Sequence, residues 1–573
     1  NSPELRRELE ARGHRFRSHS DVAVIPHLYE EYGDDFVEKL DGMFALALWD
    51  TKRRRLVIAR DRLGIKPLYV GERGNALAFA SEVSALVAGG WCESIDFASL
   101  HHYLALGYIP APGSIFADVR KLEPGTQLTI EEGRAPVQRR YWELRFAPGQ
   151  RTASDEAYAE EVLATLRAAV KSHLLSDVPV GVFLSGGVDS SGLVALMSEI
   201  AGRRIQTFSI GFEEKTFNEL ALARQVAERY GTEHHELVVR PDAVGVLPKM
   251  VRHFGEPFAD SSAVPVYYVS ELAHRSVKVV LSGEGGDEVF AGYETYLAGK
   301  YSALYRRLPG VIGRTLVPAL VDRMPVSHAR VSLDYKAKRF VRGAYLPLED
   351  GHFWWKVVLS DAVQSELCAG PARNGHRDTA DLFRAAAARA GTDDWLARLQ
   401  AIDAHVYLPD NILTKADRMS MAHSLEARVP YLDRALVELA ARLPSDLKLR
   451  RFTKKYVLKQ ALRGHVPAEI LRAKKRGFNV PVPSWLRGEL REMMQDVLAP
   501  AALRRVGLFE PDYVRRLIDE HVAMRVDHSR PLWTLLVFMT WHQEWERTRA
   551  AARDAGAAVY AADRAPHAAA SVR

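Results

Sequence analysis

Cysteine is nearly absent from this chain, because only Cys92 and Cys368 occur among its 573 residues. Two cysteines are too few for a disulfide framework, and their positions lack the spacing of metal ligands. Their simplest interpretation is two reduced thiols in a cytoplasmic protein.

Long hydrophobic runs and a strong charge imbalance are also missing. The longest apolar runs, such as residues 532–541, are too short to span a bilayer, and no signal peptide is visible at the start. The net charge is only +6, and no basic stripe interleaved with aromatic residues occurs, so neither a membrane nor nucleic acid is an expected partner. Hydrophobic content of 47% and charged content of 26% are typical of a soluble globular protein, whose length allows two to four domains.

The most informative stretch is Leu-Ser-Gly-Gly-Val-Asp-Ser-Ser at residues 184–191. Residues 178–184 predict a buried parallel strand, and residues 190–201 have the apolar spacing of a helix. Gly186 and Gly187 let the backbone turn sharply between them, so that free N–H groups and a helix N-terminus face one point. Asp189 in the same turn suits a metal ion, and the expected ligand is therefore a phosphate chain carrying Mg²⁺.

Other well-known motifs do not fit this turn. It has no Gly-Lys-Ser/Thr, which excludes a Walker A loop, and its spacing differs from the dinucleotide fingerprint. Ser185 does not have glycines at both second neighbours, which excludes a nucleophile elbow. Ser-Gly-Gly-Val-Asp-Ser-Ser instead resembles the pyrophosphate loop of ATP pyrophosphatases, and an ordinary strand-to-helix turn is the plain alternative.

A second glycine-rich loop follows the predicted strand at residues 277–281. Its sequence, Ser-Gly-Glu-Gly-Gly-Asp-Glu at residues 282–288, places three carboxylates among three glycines. Acidic runs are usually solvated surface. Glycines interspersed with the acids after a buried strand instead indicate that the backbone approaches another group closely.

Alternation of strands and helices sets the expected fold of the larger part. A strand at residues 205–212, a helix at 218–230 and a strand at 236–239 predict a doubly wound parallel sheet, whose ligands lie at the carboxyl ends of the strands. Ile210 lies near one such end, and the sequence supports a core residue and an adenine contact equally well. Lys455 opens a helix and is either a phosphate contact or a surface lysine.

The first 150 residues have a different pattern. Residues 43–50 and 55–61 flank a charged turn, and residues 68–70 and 77–80 flank another, which predicts two hairpins in an α+β layer structure. The polar stretch that follows Pro148-Gly149 marks a domain boundary, giving domains at 1–150 and 151–548. Residues 549–573 are rich in alanine and are predicted to be a disordered tail.

Three segments of the first domain resemble the glutaminase domain of class II amidotransferases: residues 40–45, 60–69 and 79–82. The resemblance implies an Ntn-type sandwich and an N-terminal cysteine nucleophile. This chain begins with Asn1, so the domain is expected to lack that cysteine and its opening strands, as in an N-terminally truncated protein. Asp21 matches the carboxylate that holds the α-amino group of glutamine in that family, although alone it resembles a helix cap.

The two glycine-rich loops, the block at residues 407–433 and Lys475-Arg476-Gly477-Phe478 together resemble glutamine-hydrolysing asparagine synthetase. The resemblance implies an ATP pyrophosphatase domain with a helical C-terminal part. It further implies a carbon–nitrogen ligase, EC 6.3.5.4, that converts aspartate and ATP to asparagine, AMP and pyrophosphate. Nitrogen would come from glutamine in the full-length enzyme and from ammonia in the chain as given.

The resemblance also assigns roles to residues. It makes Glu284 and Lys455 catalytic, and it places Mg²⁺ on Asp189 and Asp287. The implied ATP and pyrophosphate contacts are Leu184, Ser185, Gly186, Gly187, Asp189, Ser190, Ser191, Ile210, Ser282, Gly283 and Asp287.

Two alternatives remain at this level. A relative on the same scaffold could amidate or cyclise another carboxylate, in a polysaccharide, a β-lactam or a lasso peptide, and Asp260-Ser261-Ser262 near the pocket does not match every subgroup. A non-catalytic protein with a dead ATP site is the other alternative, against which the intact acids argue. The number of chains that assemble stays open, with a homodimer as one candidate.

Overall fold

The computed structural model describes residues 1–212, 220–239, 243–324, 333–375, 377–473 and 480–563. The predicted motif at residues 475–478 and the first residues of the helix predicted at 218–230 lie outside this part. Within it, no helix is both long and apolar enough to cross a membrane.

Two antiparallel sheets form the N-terminal part. One has the strand order β1-β2-β6-β7 and the other the order β4-β3-β5, so both predicted hairpins are present. The strands are β1 (Ala45–Asp50), β2 (Arg55–Arg60), β3 (Tyr69–Arg73), β4 (Ala76–Ala80), β5 (Val119–Lys121), β6 (Thr126–Glu131) and β7 (Val137–Arg140). The helices are α1 (Ser2–Ala11), α2 (Val24–Tyr32), α3 (Phe36–Lys39), α4 (Val83–Ala88) and α5 (Phe97–Leu106), with 3-10 turns at Asp21–Ala23 and Gly33–Asp35.

A five-stranded, wholly parallel sheet forms the centre of the second part. Its order is β10-β9-β8-β11-β12, which confirms the doubly wound parallel sheet. Its strands are β8 (Val180–Phe183), β9 (Gln206–Phe212), β10 (Glu233–Val239), β11 (Val279–Leu281) and β12 (Glu426–Arg428). The helices that accompany the sheet are α6 (Asp155–His173), α7 (Val188–Ala201), α8 (Leu220–Tyr230), α9 (Ala243–Phe254), α10 (Ala263–His274) and α11 (Gly286–Val289).

The edge strand β12 was not predicted from the sequence. Its residues pair with β11 in parallel register, with Ala427 beside Val280. Glu426 and Arg428 flank Ala427, so the sequence has no apolar run that would predict this strand. Charged residues of this kind are common in edge strands. Arg428 donates to the carbonyls of His173 and Leu175, and these bonds tie the edge to the end of α6.

The remainder is mainly helical, as expected. A π-helix covers Asp403–Leu413 and a second one covers Ile312–Leu316, with 3-10 turns at Gly370–Asn374 and Pro430–Leu432. The α-helices are α12 (Glu294–Tyr305), α13 (Val317–Asp322), α14 (Leu333–Ala344), α15 (Leu348–Lys356), α16 (Asp361–Leu367), α17 (Ala380–Ala388), α18 (Trp395–Ile402), α19 (Thr414–Met421), α20 (Arg434–Arg442), α21 (Ser445–Lys448), α22 (Tyr456–Ala461), α23 (Ala468–Arg472), α24 (Val482–Arg487), α25 (Arg491–Val497), α26 (Pro500–Val506), α27 (Pro511–Val522) and α28 (Ser529–Asp563). The two-residue strands β13 (Leu449–Arg450) and β14 (Thr453–Lys454) pair just before α22.

The last helix, α28, joins the two parts. Its apolar run at residues 532–541 is buried in a cluster that also contains residues of α5. The Tyr103 hydroxyl donates to the carbonyl of Thr534 at 2.7 Å, and Phe116 packs against Trp541 with 5.7 Å between ring centroids. The helix continues to Asp563 where the sequence predicts disorder, because alanine has the highest helix propensity.

Candidate active site

The first glycine-rich turn connects β8 to α7. Gly186 has φ +74°, and a Cβ at this position would lie 2.7 Å from the Cβ of Leu222 in α8, so only glycine fits. Gly187 is the N-cap of α7 and is exposed. The Ser190 hydroxyl donates to the carbonyl of Gly187 at 3.3 Å and accepts from the amide of Ser185 at 3.2 Å. These bonds fix a turn whose exposed apex is the N-terminus of α7.

Other predicted phosphate contacts lie beneath this turn. The Leu184 amide donates to the carbonyl of Phe208 at 2.9 Å, and its carbonyl accepts from the Ser209 hydroxyl. Ser191 is fully buried, and its amide donates to the carbonyl of Gly187 at 3.0 Å. Leu184 and Ser191 therefore support the turn, while Ser185 and Gly187 are its more accessible members.

The second loop lies directly against the first. A Cβ on Gly283 would lie 3.1 Å from the Cβ of Asp189, and one on Gly286 would lie 2.8 Å from Asp189 Oδ1. A Cβ on Gly285, which has φ +89°, would lie 2.2 Å from the Leu432 side chain. The close approach predicted from these glycines is confirmed, and the groups approached belong to the protein itself.

Lys455 connects the two loops. Its Nζ lies 2.5 Å from Asp189 Oδ2 and 2.7 Å from Asp287 Oδ1, and the residue is 5% exposed. Burial disfavours the ammonium, but the two carboxylates outweigh burial and raise the pKa of Lys455 above its usual value. The sequence left Lys455 as a phosphate contact or a surface lysine, and the structure excludes the surface position.

The backbone at Lys455 is strained. Lys455 has φ +53° and ψ +38°, the left-handed region that non-glycine residues seldom adopt. A Cβ on Gly292 would lie 1.9 Å from Asp287 Oδ1 and 2.2 Å from Lys455 Cε, so this glycine leaves room for the ion pair. Strain of this kind, held in place by surrounding structure, is common at functional sites.

Glu284 lies in the same loop as Asp287. It is half-buried and accepts a hydrogen bond from the Ser282 hydroxyl. The Ser282 amide donates to the carbonyl of Arg428 at 2.8 Å, just beyond the pairing of β11 with β12. Glu284 is thus presented from the carboxyl end of the central sheet, as predicted from the strand-to-loop pattern.

Ile210 and Asp21 were predicted to contact ATP and glutamine, respectively. Ile210 is 7% exposed in β9, opposite Leu237 of β10, and belongs to the hydrophobic core. Asp21 belongs to the N-terminal part, where it is exposed and accepts the amide of Val22 at 2.8 Å. Asp21 is the first residue of the 3-10 turn Asp21–Ala23, whose N-cap is Ser20, so the structure does not show the helix cap that was the alternative prediction for Asp21.

Three of the four buried charged residues in the block at residues 407–433, namely Lys415, Asp417 and Arg418, each have a partner of their own. Lys415 Nζ lies 3.0 Å from Asp260 Oδ2 and donates to the Ser262 hydroxyl at 2.7 Å. Burial of Asp260 opposes ionisation, but Lys415 and Ser262 outweigh it and lower the pKa of Asp260.

The other two charges reach across to the N-terminal part. Asp417 Oδ1 lies 2.9 Å from Lys66 Nζ, and Arg418 donates to the carbonyl of Ser81 at 2.6 Å. Lys66 and Ser81 both belong to segments that carried the resemblance to a glutaminase. The block therefore contributes to the contact between the two parts of the chain.

A buried polar cluster at the same contact was missed by sequence reasoning. Lys121 Nζ lies 2.7 Å from Glu256 Oε1 and 3.8 Å from Asp410 Oδ1, and the Tyr69 hydroxyl donates to Glu256 at 3.0 Å. The hydrogen bond from the Tyr431 hydroxyl to the carbonyl of Asp189, at 3.1 Å, was missed as well. No local pattern could reveal these pairs, because each joins residues more than 130 positions apart.

The cluster of Asp189, Asp287 and Lys455 suits a metal-bound polyphosphate. Two carboxylates converge on one ammonium, so they also offer hard oxygen ligands at one point, which is what Mg²⁺ prefers. The exposed N-cap of α7 lies beside Asp189 and offers positive partial charge to an anion. The residues present fit Mg²⁺ together with a phosphate chain.

Comparisons with known families agree with this arrangement. Residues 161–543 match the asparagine synthase family, and residues 1–142 match the glutamine amidotransferase domain family. The two matches divide the chain between the N-terminal part and the part that contains the parallel sheet.

Similar proteins span most of the chain. Asparagine synthetase [glutamine-hydrolyzing] 1 of Bacillus subtilis is 35% identical over 540 residues, which cover 94% of this chain and 83% of that protein. Asparagine synthetase [glutamine-hydrolyzing] 3 of the same bacterium is 31% identical, with 83% and 74% covered. Amidase chry2 of Gibberella zeae is 27% identical, with 87% and 78% covered.

Proposed function

The chain belongs to the asparagine synthase family, and from this membership we propose that it is a carbon–nitrogen ligase making asparagine. The reaction joins aspartate and ammonia at the expense of ATP, which leaves as AMP and pyrophosphate. Glutamine or free ammonia is the proposed source of nitrogen. The proposed setting is the cytoplasm, with small molecules as substrates.

The convergence of Asp189, Asp287 and Lys455 is the observation that carries this proposal. The three groups meet at the carboxyl ends of β8 and β11, next to the N-cap of α7. Cleavage of ATP to AMP and pyrophosphate places negative charge on the departing phosphates. A buried ammonium and a helix N-terminus stabilise such charge before the reaction begins.

In the first proposed step, an oxygen of the substrate carboxylate attacks the α-phosphorus of ATP. The bond from the α-phosphorus to the bridging oxygen breaks, and pyrophosphate takes the electron pair. Ser185, Gly187 and the N-terminus of α7 hold the phosphates, while Lys455 stabilises the pentavalent phosphorus. Mg²⁺ held by Asp189 and Asp287 would neutralise charge on the pyrophosphate.

In the second proposed step, ammonia attacks the carbonyl carbon of the acyl adenylate. The carbon–nitrogen bond forms, the bond to the AMP oxygen breaks, and AMP leaves with the electron pair. Glu284 takes the proton that the nitrogen must lose. Its position in the loop that carries Asp287 supports this role, because both side chains belong to one short segment.

Pyrophosphate release measured with aspartate, and with a panel of other carboxylic acids, tests the proposal. Ammonium chloride supplies nitrogen, and asparagine is quantified in parallel. We expect release to require aspartate and to match asparagine formation in amount. Pyrophosphate release with another acid, without formation of asparagine, would indicate that the substrate is a different carboxylate.

An Asp189→Asn variant tests the proposed ATP site independently of which carboxylate is the substrate. The substitution removes one charge from the proposed Mg²⁺ ligands, and we expect pyrophosphate release to be abolished. Asp177→Asn, an exposed aspartate just before β8, is the matched control. Near-normal release by Asp189→Asn at saturating Mg²⁺ would contradict the assignment of this turn.

A further inference from the structure

A group of metal-ligand side chains lies in the N-terminal part, where the loop after α1 passes α2. His14 follows α1, and His27 and Glu30 stand one helical turn apart on α2. His14 Nδ1 lies 3.0 Å from His27 Nδ1, and Glu30 Oε2 lies 3.7 Å from His14 Nδ1 and 3.6 Å from His27 Nδ1. Within the ranges that the structure describes, no other group of three such residues has its ligand atoms this close together.

The triangle formed by these three atoms has the size of one face of a metal tetrahedron. Zinc binds histidine nitrogen and carboxylate oxygen at about 2.0–2.2 Å, so neighbouring ligands of a tetrahedral site stand roughly 3.3–3.6 Å apart. Of the three separations, 3.6 Å lies within that range, 3.7 Å lies just above it and 3.0 Å lies below it. Small movements of side chains would therefore be enough to place all three atoms on one ion.

The opposite side of the His14 ring is held by a carboxylate. His14 Nε2 lies 2.9 Å from Glu31 Oε1, and Arg12 in turn donates to Glu31 Oε2 at 3.0 Å. A proton on Nε2 that is donated to Glu31 leaves the lone pair of Nδ1 directed at His27 and Glu30. Metal-bound histidines commonly have such a partner, which fixes the tautomer and the orientation of the ring.

The His27 ring is also fixed in place. Phe16 packs against it edge to face, with 4.7 Å between centroids, and the Arg6 guanidinium lies 4.2 Å from the Phe16 centroid. The side chains of His14 and His27 are 15% and 26% exposed, whereas that of Glu30 is 67% exposed. The site is thus half-buried, with one open side where water can complete the coordination.

We propose that His14, His27 and Glu30 form a second metal site, which binds one Zn²⁺ with water as its fourth ligand. Two imidazoles select a transition metal rather than Mg²⁺, so the site is distinct from the carboxylates of the ATP site. The ion clamps the loop between α1 and α2, and this loop leads directly to Ser20 and Asp21. Its role is to hold the segment that carries Asp21.

Zinc retention by the purified chain, carrying no histidine tag, tests this site. The protein is dialysed against Zn²⁺ buffered by a chelator, and metal is quantified per chain. Co²⁺ is then substituted, since its visible absorption reports tetrahedral coordination. We expect one equivalent of metal and a tetrahedral Co²⁺ spectrum.

Variants connect the bound metal to these residues. His14→Gln and His27→Gln should each abolish retention, and Glu31→Gln should weaken it by about 10–100-fold. His19→Gln is the matched control, because His19 is an exposed histidine of the same loop. Glu30→Gln changes a mostly exposed side chain, so it tests the site even if a histidine variant fails to fold.

Some results would overturn the proposal. These are a chain that retains no Zn²⁺, a Co²⁺ spectrum of octahedral form, or equal retention by wild type and the Glu30→Gln and histidine variants. A protease-sensitivity assay gives an independent readout. Zn²⁺ should protect the segment between α1 and α2 in wild type and in His19→Gln, and lack of protection in wild type would contradict the clamp.

Discussion

Replacing Lys455 by methionine tests the central feature of the candidate active site. Methionine keeps the length and much of the volume of the side chain but removes the ammonium. Asp189 and Asp287 then face each other without the cation that lies 2.5 and 2.7 Å from them. Because Lys455 is 5% exposed, water cannot easily replace this contact.

The expected cost follows from the burial of the ion pair. Removing one partner of a buried pair leaves uncompensated charge and costs roughly 3–5 kcal/mol. The pKa of Lys455 is raised by its two carboxylates, so the ammonium's contribution is complete below the ordinary lysine pKa and is lost only as pH rises through the raised value. The destabilisation should therefore be constant between pH 7 and 9.

Urea unfolding and steady-state kinetics measure the two consequences. We expect a lower unfolding midpoint and, if Lys455 stabilises the transferring phosphorus, a kcat reduced by about 10²–10³-fold. Mg²⁺ should stabilise the variant more than wild type, because no ammonium competes for the two carboxylates. Lys454→Met is the matched control, since Lys454 pairs with the exposed Glu294 and should cost less than about 1 kcal/mol. Equal stability and rate in wild type and Lys455→Met would refute the reasoning.

Three further predictions concern other residues. Glu284→Gln should block asparagine formation while ATP affinity, measured by calorimetry, survives; wild-type output would show that Glu284 is structural. Burial lowers the pKa of Lys448 to about 7, so the unfolded chain binds more protons than the folded one between pH 7 and 10, and stability rises with pH there. In Lys448→Met the free energy of unfolding at lower pH should increase by up to about 4 kcal/mol, and the rise between pH 7 and 10 should disappear. Urea unfolding measures both effects, and an unchanged dependence of stability on pH would contradict this. Burial raises the pKa of Cys92 to about 12 and that of Cys368 to about 11, so a protein of these 573 residues should use ammonium but release no glutamate from glutamine; glutamate release would reveal another nucleophile.

The strands and the two glycine-rich loops could be predicted because their signals are local. β8 and β11 are short apolar runs, and a strand, a glycine turn and a helix follow one another within a few residues. The sequence also indicated that the second loop makes a close approach. It could not identify Asp189 as the neighbour of Gly283 and Gly286, because neighbouring strands of a parallel sheet bring together residues that are far apart in the sequence.

Long-range ion pairs were beyond prediction for the same reason. Lys66 and Asp417 are 351 residues apart, and each alone resembles an ordinary surface charge. β12 was missed because two of its three residues are charged, and the metal-ligand group was missed because His14 and His27 lie on different elements. Patterns within one element predict that element, whereas sites arise where elements meet.

The charges at the active site predict how its ligands depend on one another. Two carboxylates and one ammonium leave this cluster with a net charge of −1, and the incoming triphosphate is also an anion. The helix N-terminus of α7 supplies only about half a positive charge. A divalent cation on Asp189 and Asp287 would reverse the balance, but it must compete with the ammonium of Lys455 for both carboxylates.

Mg²⁺ and ATP should therefore bind with positive coupling. The phosphate chain gives Lys455 a new partner, which releases the carboxylates for the metal, and the metal in turn offsets the charge of the phosphates. Coupling of this kind typically amounts to 5–150-fold in affinity. Calorimetric titration of ATP with and without Mg²⁺ measures it, and the coupling should shrink in Lys455→Met, where the metal no longer competes with an ammonium. An ATP affinity that is the same with and without Mg²⁺ would show that these carboxylates hold Lys455 alone.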